Sequence, residues 1–212
     1  MSITFICAIY NEEDEIIDLL LHVWDYSDKI IICDDGSIDR TSELIKGVNK
    51  TTPNRITYMR IPHTGLPETV KNMALQGAPE GWVMMLDADE RFAPGVLDKI
   101  LIWLQSDEAQ QTDYVYFNQK EIIDGHQVRS FQKSKLFRKS AITFSKGIHE
   151  DDLLEGEGIY HSDWVVLHRK STTKQIQREQ EYLETYKNLL QEGKIDMGRY
   201  NWLVGLHHYI KE

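Results

Sequence analysis

The sequence predicts an α/β protein built on a mostly parallel, mixed sheet with helices on both faces. Two observations carry this: apolar runs without alternation, as in strands buried on both sides, and helical periodicity set between those runs. A third, the alternating stretch after Asp113, adds antiparallel strands to the sheet.

Residues 3 to 9 (I-T-F-I-C-A-I) form the first buried strand. Asn11 is the expected N-cap, with Asp14 at the third helical position, of a helix that includes Ile16, Ile17, Leu20, Leu21 and Trp24. K-I-I-I-C at 29 to 33 is the second strand; it runs into D-D-G-S-I-D-R-T, where Asp39 suits a helix cap, and a helix near 40 to 47. A strand near 56 to 61, a helix from Pro67 to Gln76, the strand W-V-M-M-L ending at Asp87, and a helix from Ala93 to about Gln105 continue the alternation. The stretch from Asp113 carries a D-G turn at Asp124 and Gly125 and reads as a hairpin. C-terminal helices follow: one from Thr172, a cap candidate, to Gly193, and a weaker one from Asp196 to Ile210. No repeat or linker marks a second domain, so 171–212 is expected to be a helical extension packed on a 1–170 domain.

A hydrophobic fraction of 41% over 212 residues supports one sizeable core. No apolar run approaches the roughly 18 to 20 residues of a bilayer span, and the N-terminus lacks a signal pattern, so a cytoplasmic location is expected. Cys7 and Cys33 sit in apolar runs without metal-ligand spacing, as buried free thiols do. The net charge of −10 disfavours a surface that coats nucleic acid. Locally, Arg129, Lys133, Lys135, Arg138, Lys139 and Lys146 form an acid-free run, and Arg169, Lys170, Lys174 and Arg178 form another. Such runs are ordinarily solvated; the sharper reading is a cradle for an anionic donor or acceptor.

In open parallel sheets, ligands bind at the carboxyl ends of strands. Here one strand ends in Asp34 and Asp35 and another in Asp87, Asp89 and Glu90, while no glycine-rich phosphate loop is present. A divalent cation, Mg2+ or Mn2+, is the remaining way to hold a diphosphate beside so many acids. Taken singly, a D-x-D could merely cap the next helix.

Together, A-I-Y-N-E-E, I-I-I-C-D-D-G-S-I-D-R-T and V-M-M-L-D-A-D-E resemble the nucleotide-sugar half of family-2 glycosyltransferases of the GT-A, Rossmann-like fold. K-L-F-R-K-S-A-I-T-F-S-K-G-I-H-E, followed by V-V-L-H, resembles the acceptor half of the subgroup containing lipopolysaccharide-core glucosyltransferases. The resemblance implies an inverting transfer of a sugar, a hexose by first choice, from a nucleoside-diphosphate sugar, UDP-sugar by first choice, to an acceptor hydroxyl. It places Tyr10 against the base, has Asp35 accept a hydrogen bond from the base with Asp34 supporting the turn, and puts Asp87 near the ribose or donor sugar. Asp89 and His168 are the implied metal ligands, and Glu150, with Asp151 as alternate, the implied base. Lys71 and Asn72 stand where the family often has Arg-Asn, so the bidentate grip of an arginine is lost there. The implied acceptor is a saccharide or glycoconjugate; a hydroxylated base in DNA and a non-catalytic sugar-nucleotide-binding subunit are the alternatives. A dehalogenase-like phosphatase fits poorly, because Glu90 and Arg91 follow the second Asp of D-A-D where that site needs a hydroxyl.

Overall fold

The computed structural model describes the backbone of residues 3–145 and 152–208 and the side chains of 3–145 and 152–204. The first half runs β1 (Ile3–Ile9), α1 (Ile16–Val23), β2 (Lys29–Asp34), α2 (Thr41–Thr51), β3 (Ile56–Arg60), α3 (Pro67–Gln76) and β4 (Trp82–Met85). The second half runs β5 (Glu90–Phe92), α4 (Val96–Trp103), α5 (Asp107–Gln111), β6 (Tyr114–Ile123), β7 (His126–Arg138), β8 (Ile142–Thr143), β9 (Leu153–Leu154), β10 (Gly158–Lys170), α6 (Thr172–Gln191) and α7 (Met197–His208).

Among the described residues, eight strands make one mixed sheet in the order β3-β2-β1-β4-β7-β6-β10-β5. The β3-β2-β1-β4 half is parallel, and β7 pairs antiparallel with both β4 and β6. Side chains of a strand alternate between its faces. Ile3, Phe5, Cys7 and Ile9 accordingly join a core with Leu19 and Leu20 of α1, Ile45 of α2 and Ile100 of α4. Ile6 faces the other way, toward Val70 and Ala74 of α3. Helices therefore cover both faces of the parallel half, which is why its strands read as unbroken apolar runs. Cys7 and Cys33 are free and buried.

The helix starts differ from expectation. Asn11 adopts φ 53 and caps nothing; its N–H donates to Ser37 Oγ at 2.9 Å, and its Oδ1 accepts from Ile38 N at 2.8 Å. It thereby ties the turn after β1 to the turn after β2. Asp39 stands one residue before the N-cap, Arg40, and its Oδ1 accepts from Thr41 N at 3.0 Å as α2 begins. Ser171, one residue before the expected Thr172, caps α6 through Lys174 N at 3.2 Å. Tyr186, Leu189 and Leu203 form a small core between α6 and α7, with Leu66 packed against it. No helix of the described residues is long and apolar enough to cross a membrane.

Candidate active site

A cavity of about 220 Å3 opens where β1, β2 and β4 end, with α6 along one side. Tyr10, Asp35, Lys71 and Asp87 line it, joined by Arg178 and Tyr182 of α6. Tyr10 stacks on His63 with ring centroids 4.2 Å apart, so one face of the ring is already covered.

Asp34 and Asp35 divide as successive strand residues must. Asp34 is fully buried; Oδ1 accepts from Ser37 N at 2.8 Å and Ser37 Oγ at 2.6 Å, and Oδ2 from the Tyr58 hydroxyl. Asp34 thus braces the turn and is not among the residues that line the cavity. Asp35 does reach it, but its Oδ1 accepts from Thr64 N and Thr64 Oγ1, both at 2.8 Å. Its Oδ2 takes Gly65 N at 3.0 Å, with His63 Nδ1 also 3.0 Å away. A carboxylate offers about four lone-pair sites. Those of Asp35 are engaged in holding the 63–65 loop, so a base would have to displace His63 to use this carboxylate.

Asn72 turns elsewhere as well. Its Nδ2 donates to Phe144 O at 3.1 Å, away from the cavity that Lys71 lines. Consecutive helix residues are rotated by about 100°, so only one of the two faces the donor side. Asn72 instead anchors the chain immediately before residues 146–151. The expected bases Glu150 and Asp151 lie outside the described residues.

The acid cluster is assembled by strand pairing. β5 runs antiparallel to β10 with Glu90 opposite His168, and Arg169 N donates to Asp89 O at 3.0 Å. Arg91 clamps the same turn: its Nη1 donates to Ala88 O at 2.6 Å, and its Nε to Asp18 Oδ2 of α1 at 3.0 Å. This brings His168 Nε2 to 3.2 Å from Asp89 Oδ1. Burial pushes both groups toward neutrality, yet their mutual pairing lowers the Asp89 pKa and raises that of His168. Asp87 is held well below the usual carboxylate range; burial opposes this, but the cations Lys135 and Lys71 outweigh it.

Two side chains that sequence reasoning left unassigned complete the cluster. Glu90 and Lys135 are both buried, and Lys135 Nζ reaches Glu90 Oε1 at 2.6 Å. Glu90 Oε2 also accepts from Asp87 N at 2.9 Å. Lys135 is therefore no part of a solvated basic run; Leu136 beside it pairs with Met84 and Val115 inside the sheet. Arg129 binds Glu121, Arg138 donates to Thr112 O, and Lys139 donates to Ala78 O. Most of the described charge in that run is spent internally. The one signal in the sequence was a third acid directly beside D-A-D at the end of an apolar strand.

The donor set suits a divalent cation. Two ligand atoms at about 2.1 Å from an octahedral ion lie about 3 Å apart, close to the Asp89–His168 separation. Asp87, Glu90 and His168 also offer atoms within 4.8 Å of one another, although Lys135 already occupies Glu90. Gln119 supplies a second test: its Nε2 lies 2.9 Å from His168 Nδ1, while its buried Oε1 has no partner among the described residues. Turned over, the amide accepts Nδ1–H through Oε1 and leaves Nε2 of His168 free as a ligand.

A family model described as glycosyl transferase family 2 matches residues 4–172. The succinoglycan biosynthesis protein ExoO of Rhizobium meliloti (strain 1021) is 23% identical over 160 residues, 74% of this chain and 44% of that protein. The poly-beta-1,6-N-acetyl-D-glucosamine synthase of Staphylococcus aureus (strain MSSA476) is 38% identical over 91 residues, 42% of this chain and 22% of that protein. The chain thus spans less than half the length of these relatives. Among solved structures, S. aureus TarS 1-349 in complex with UDP-GlcNAc superposes with TM-score 0.63 at 14% identity, over 96% of this chain and 70% of that one. The mannosyltransferase PcManGT of Pyrobaculum calidifontis, in complex with GDP-Man and Mn2+, gives 0.57 at 17% identity, over 95% and 68%. These likenesses show the GT-A fold.

Proposed function

The chain belongs to glycosyl transferase family 2, and from that premise we propose that it moves a hexose from a nucleoside-diphosphate sugar to an acceptor hydroxyl with inversion. The observation that carries the reading is that one cavity at the strand ends gathers Tyr10, Asp35 and Asp87, with the Asp89–His168 pair beside it. The UDP-GlcNAc complex of TarS makes a UDP-sugar the first donor to test.

In the proposed reaction the acceptor oxygen bonds to the anomeric carbon as the carbon–phosphate oxygen bond breaks, and the nucleoside diphosphate departs. Tyr10 and the loop held by Asp35 bind the nucleoside. Asp87 faces the donor sugar, where a carboxylate stabilises oxocarbenium character. Asp89 and His168 would hold Mn2+ or Mg2+, which when bound supplies Lewis-acid stabilisation of the leaving diphosphate. Glu150, or Asp151, takes the acceptor proton. The proposed acceptor is a bacterial saccharide, in keeping with the polysaccharides that the relatives' names give, and the lipopolysaccharide core is one such acceptor. A DNA acceptor is disfavoured by the internal pairing of Arg129, Lys135, Arg138 and Lys139. The proposed compartment is the cytoplasm, where nucleotide sugars are donors.

The test is release of nucleoside diphosphate from a panel of UDP- and GDP-sugars with Mn2+, with Mg2+ and with chelator. Metal-stimulated release from one donor is expected. Absence of both binding and release across the panel would refute the reading.

A further inference from the structure

Glu12 directly follows the first-strand turn, and the proposed reaction does not use it. It is 3% exposed, and its two oxygens accept from Lys174 Nζ and Arg178 Nη2 of α6. A buried carboxylate is tolerated only when paired, and these two cations are its partners. Glu12 and Arg178 both line the cavity.

Apart from any divalent cation, the side chains of the lining are too acidic for a diphosphate. Glu12, Asp35, Glu68, Asp87 and Glu181 face it, against Lys71 and Arg178. The cavity, about 220 Å3, is also below the roughly 300–1,000 Å3 of sites that enclose a drug-sized ligand. A diphosphate entering it therefore competes with Glu12 for Lys174 and Arg178.

The geometry points to an ion-pair exchange: Arg178 and Lys174 bind the diphosphate of the donor, and Glu12 holds them as an internal substitute anion until the donor arrives. The exchange rests on the donor-site reading above and adds the residues that take the diphosphate. An arginine guanidinium donates to carboxylate and to phosphate oxygens alike, so one guanidinium serves both partners. Residues 174 and 178 are four apart on a helix and share one face, so both turn from Glu12 to the same ligand. Donor binding then leaves neither cation alone, and the cost of releasing the buried Glu12 carboxylate opposes it, which is why removing that charge is expected to tighten the diphosphate.

The test is calorimetric titration of the full chain with UDP and GDP and with uridine and guanosine, each with Mn2+. Arg178→Met is expected to weaken binding of the preferred diphosphate about tenfold or more, the loss of a charge-assisted hydrogen bond, and to leave the matching nucleoside unchanged. Glu12→Gln removes the competing anion and is expected to tighten the diphosphate severalfold without affecting the nucleoside. Because Arg178→Met leaves Glu12 short of a partner, Glu12→Gln/Arg178→Met is compared with Glu12→Gln, and the same loss is expected in that balanced background. Unchanged diphosphate binding in both arginine variants, or equal losses for nucleoside and diphosphate, would overturn the exchange while leaving the donor site standing. A wild-type chain that binds none of the four probes would overturn the donor-site reading, and the exchange with it.

Discussion

Glu90 and Lys135 meet in the sheet interior, Nζ to Oε1 at 2.6 Å, although 45 residues separate them in sequence. Lys135 is 3% exposed and Glu90 fully buried. Burial alone would neutralise both. Burial lowers the lysine's pKa, but Glu90 and then Asp87 outweigh it and raise it, whereas burial outweighs Lys135 at Glu90 and raises the carboxyl's pKa as well. The two groups thus share their protons behind the acid cluster.

Removing one partner strands the other charge. Lys135→Met or Glu90→Gln alone should cost about 3–5 kcal/mol in urea unfolding, and the double variant Glu90→Gln/Lys135→Met should cost clearly less than the sum. Additive losses would show that the two groups do not depend on each other.

Asp89→Asn removes the charge from one of the two proposed ligand atoms, which stand 3.2 Å apart. Mn2+ should then no longer strengthen nucleotide binding in calorimetry, while the residual metal-free affinity persists. An unaltered Mn2+ effect would reassign the ligands to Asp87 and Glu90.

Glu150→Gln should leave donor binding nearly intact and lower turnover by roughly 100 to 10,000-fold, as loss of a general base does. If Glu150→Gln turns over normally and Asp151→Asn does not, the base is Asp151.

Asn72 separates the family expectation from the structure most sharply. Asn72→Ala should lower stability by about 1 kcal/mol through loss of its hydrogen bond to Phe144 O. Nucleotide affinity should be unchanged. A large loss of affinity with normal stability would restore Asn72 to the donor site.

Much of the parallel half was legible in the sequence because its signals are local. Strand runs such as I-I-I-C-D and turn signals such as Asp124-Gly125 depend on neighbours within a few residues, and the elements observed at Lys29–Asp34 and Tyr114–Arg138 follow them. The helix expected from Ala93 begins at Val96, after Gly95 at φ 79. Asn11 caps no helix because its partners, Ser37 and Ile38, come from another turn.

The sequence by itself determined that carboxylates stand at the ends of β2 and β4, since a strand's period and its end are written in consecutive residues. Which of those carboxylates faces the cavity was decided by tertiary structure: Asp34 is consumed by Ser37 and Tyr58, while Asp87 looks into the opening. Their neutralisation was decided there too, by Lys135 reaching Glu90 and by Lys174 and Arg178 reaching Glu12. The physical reason is distance along the chain. A buried charge needs a partner within a few ångströms in space, and the residue that supplies it can be any one that folding brings near.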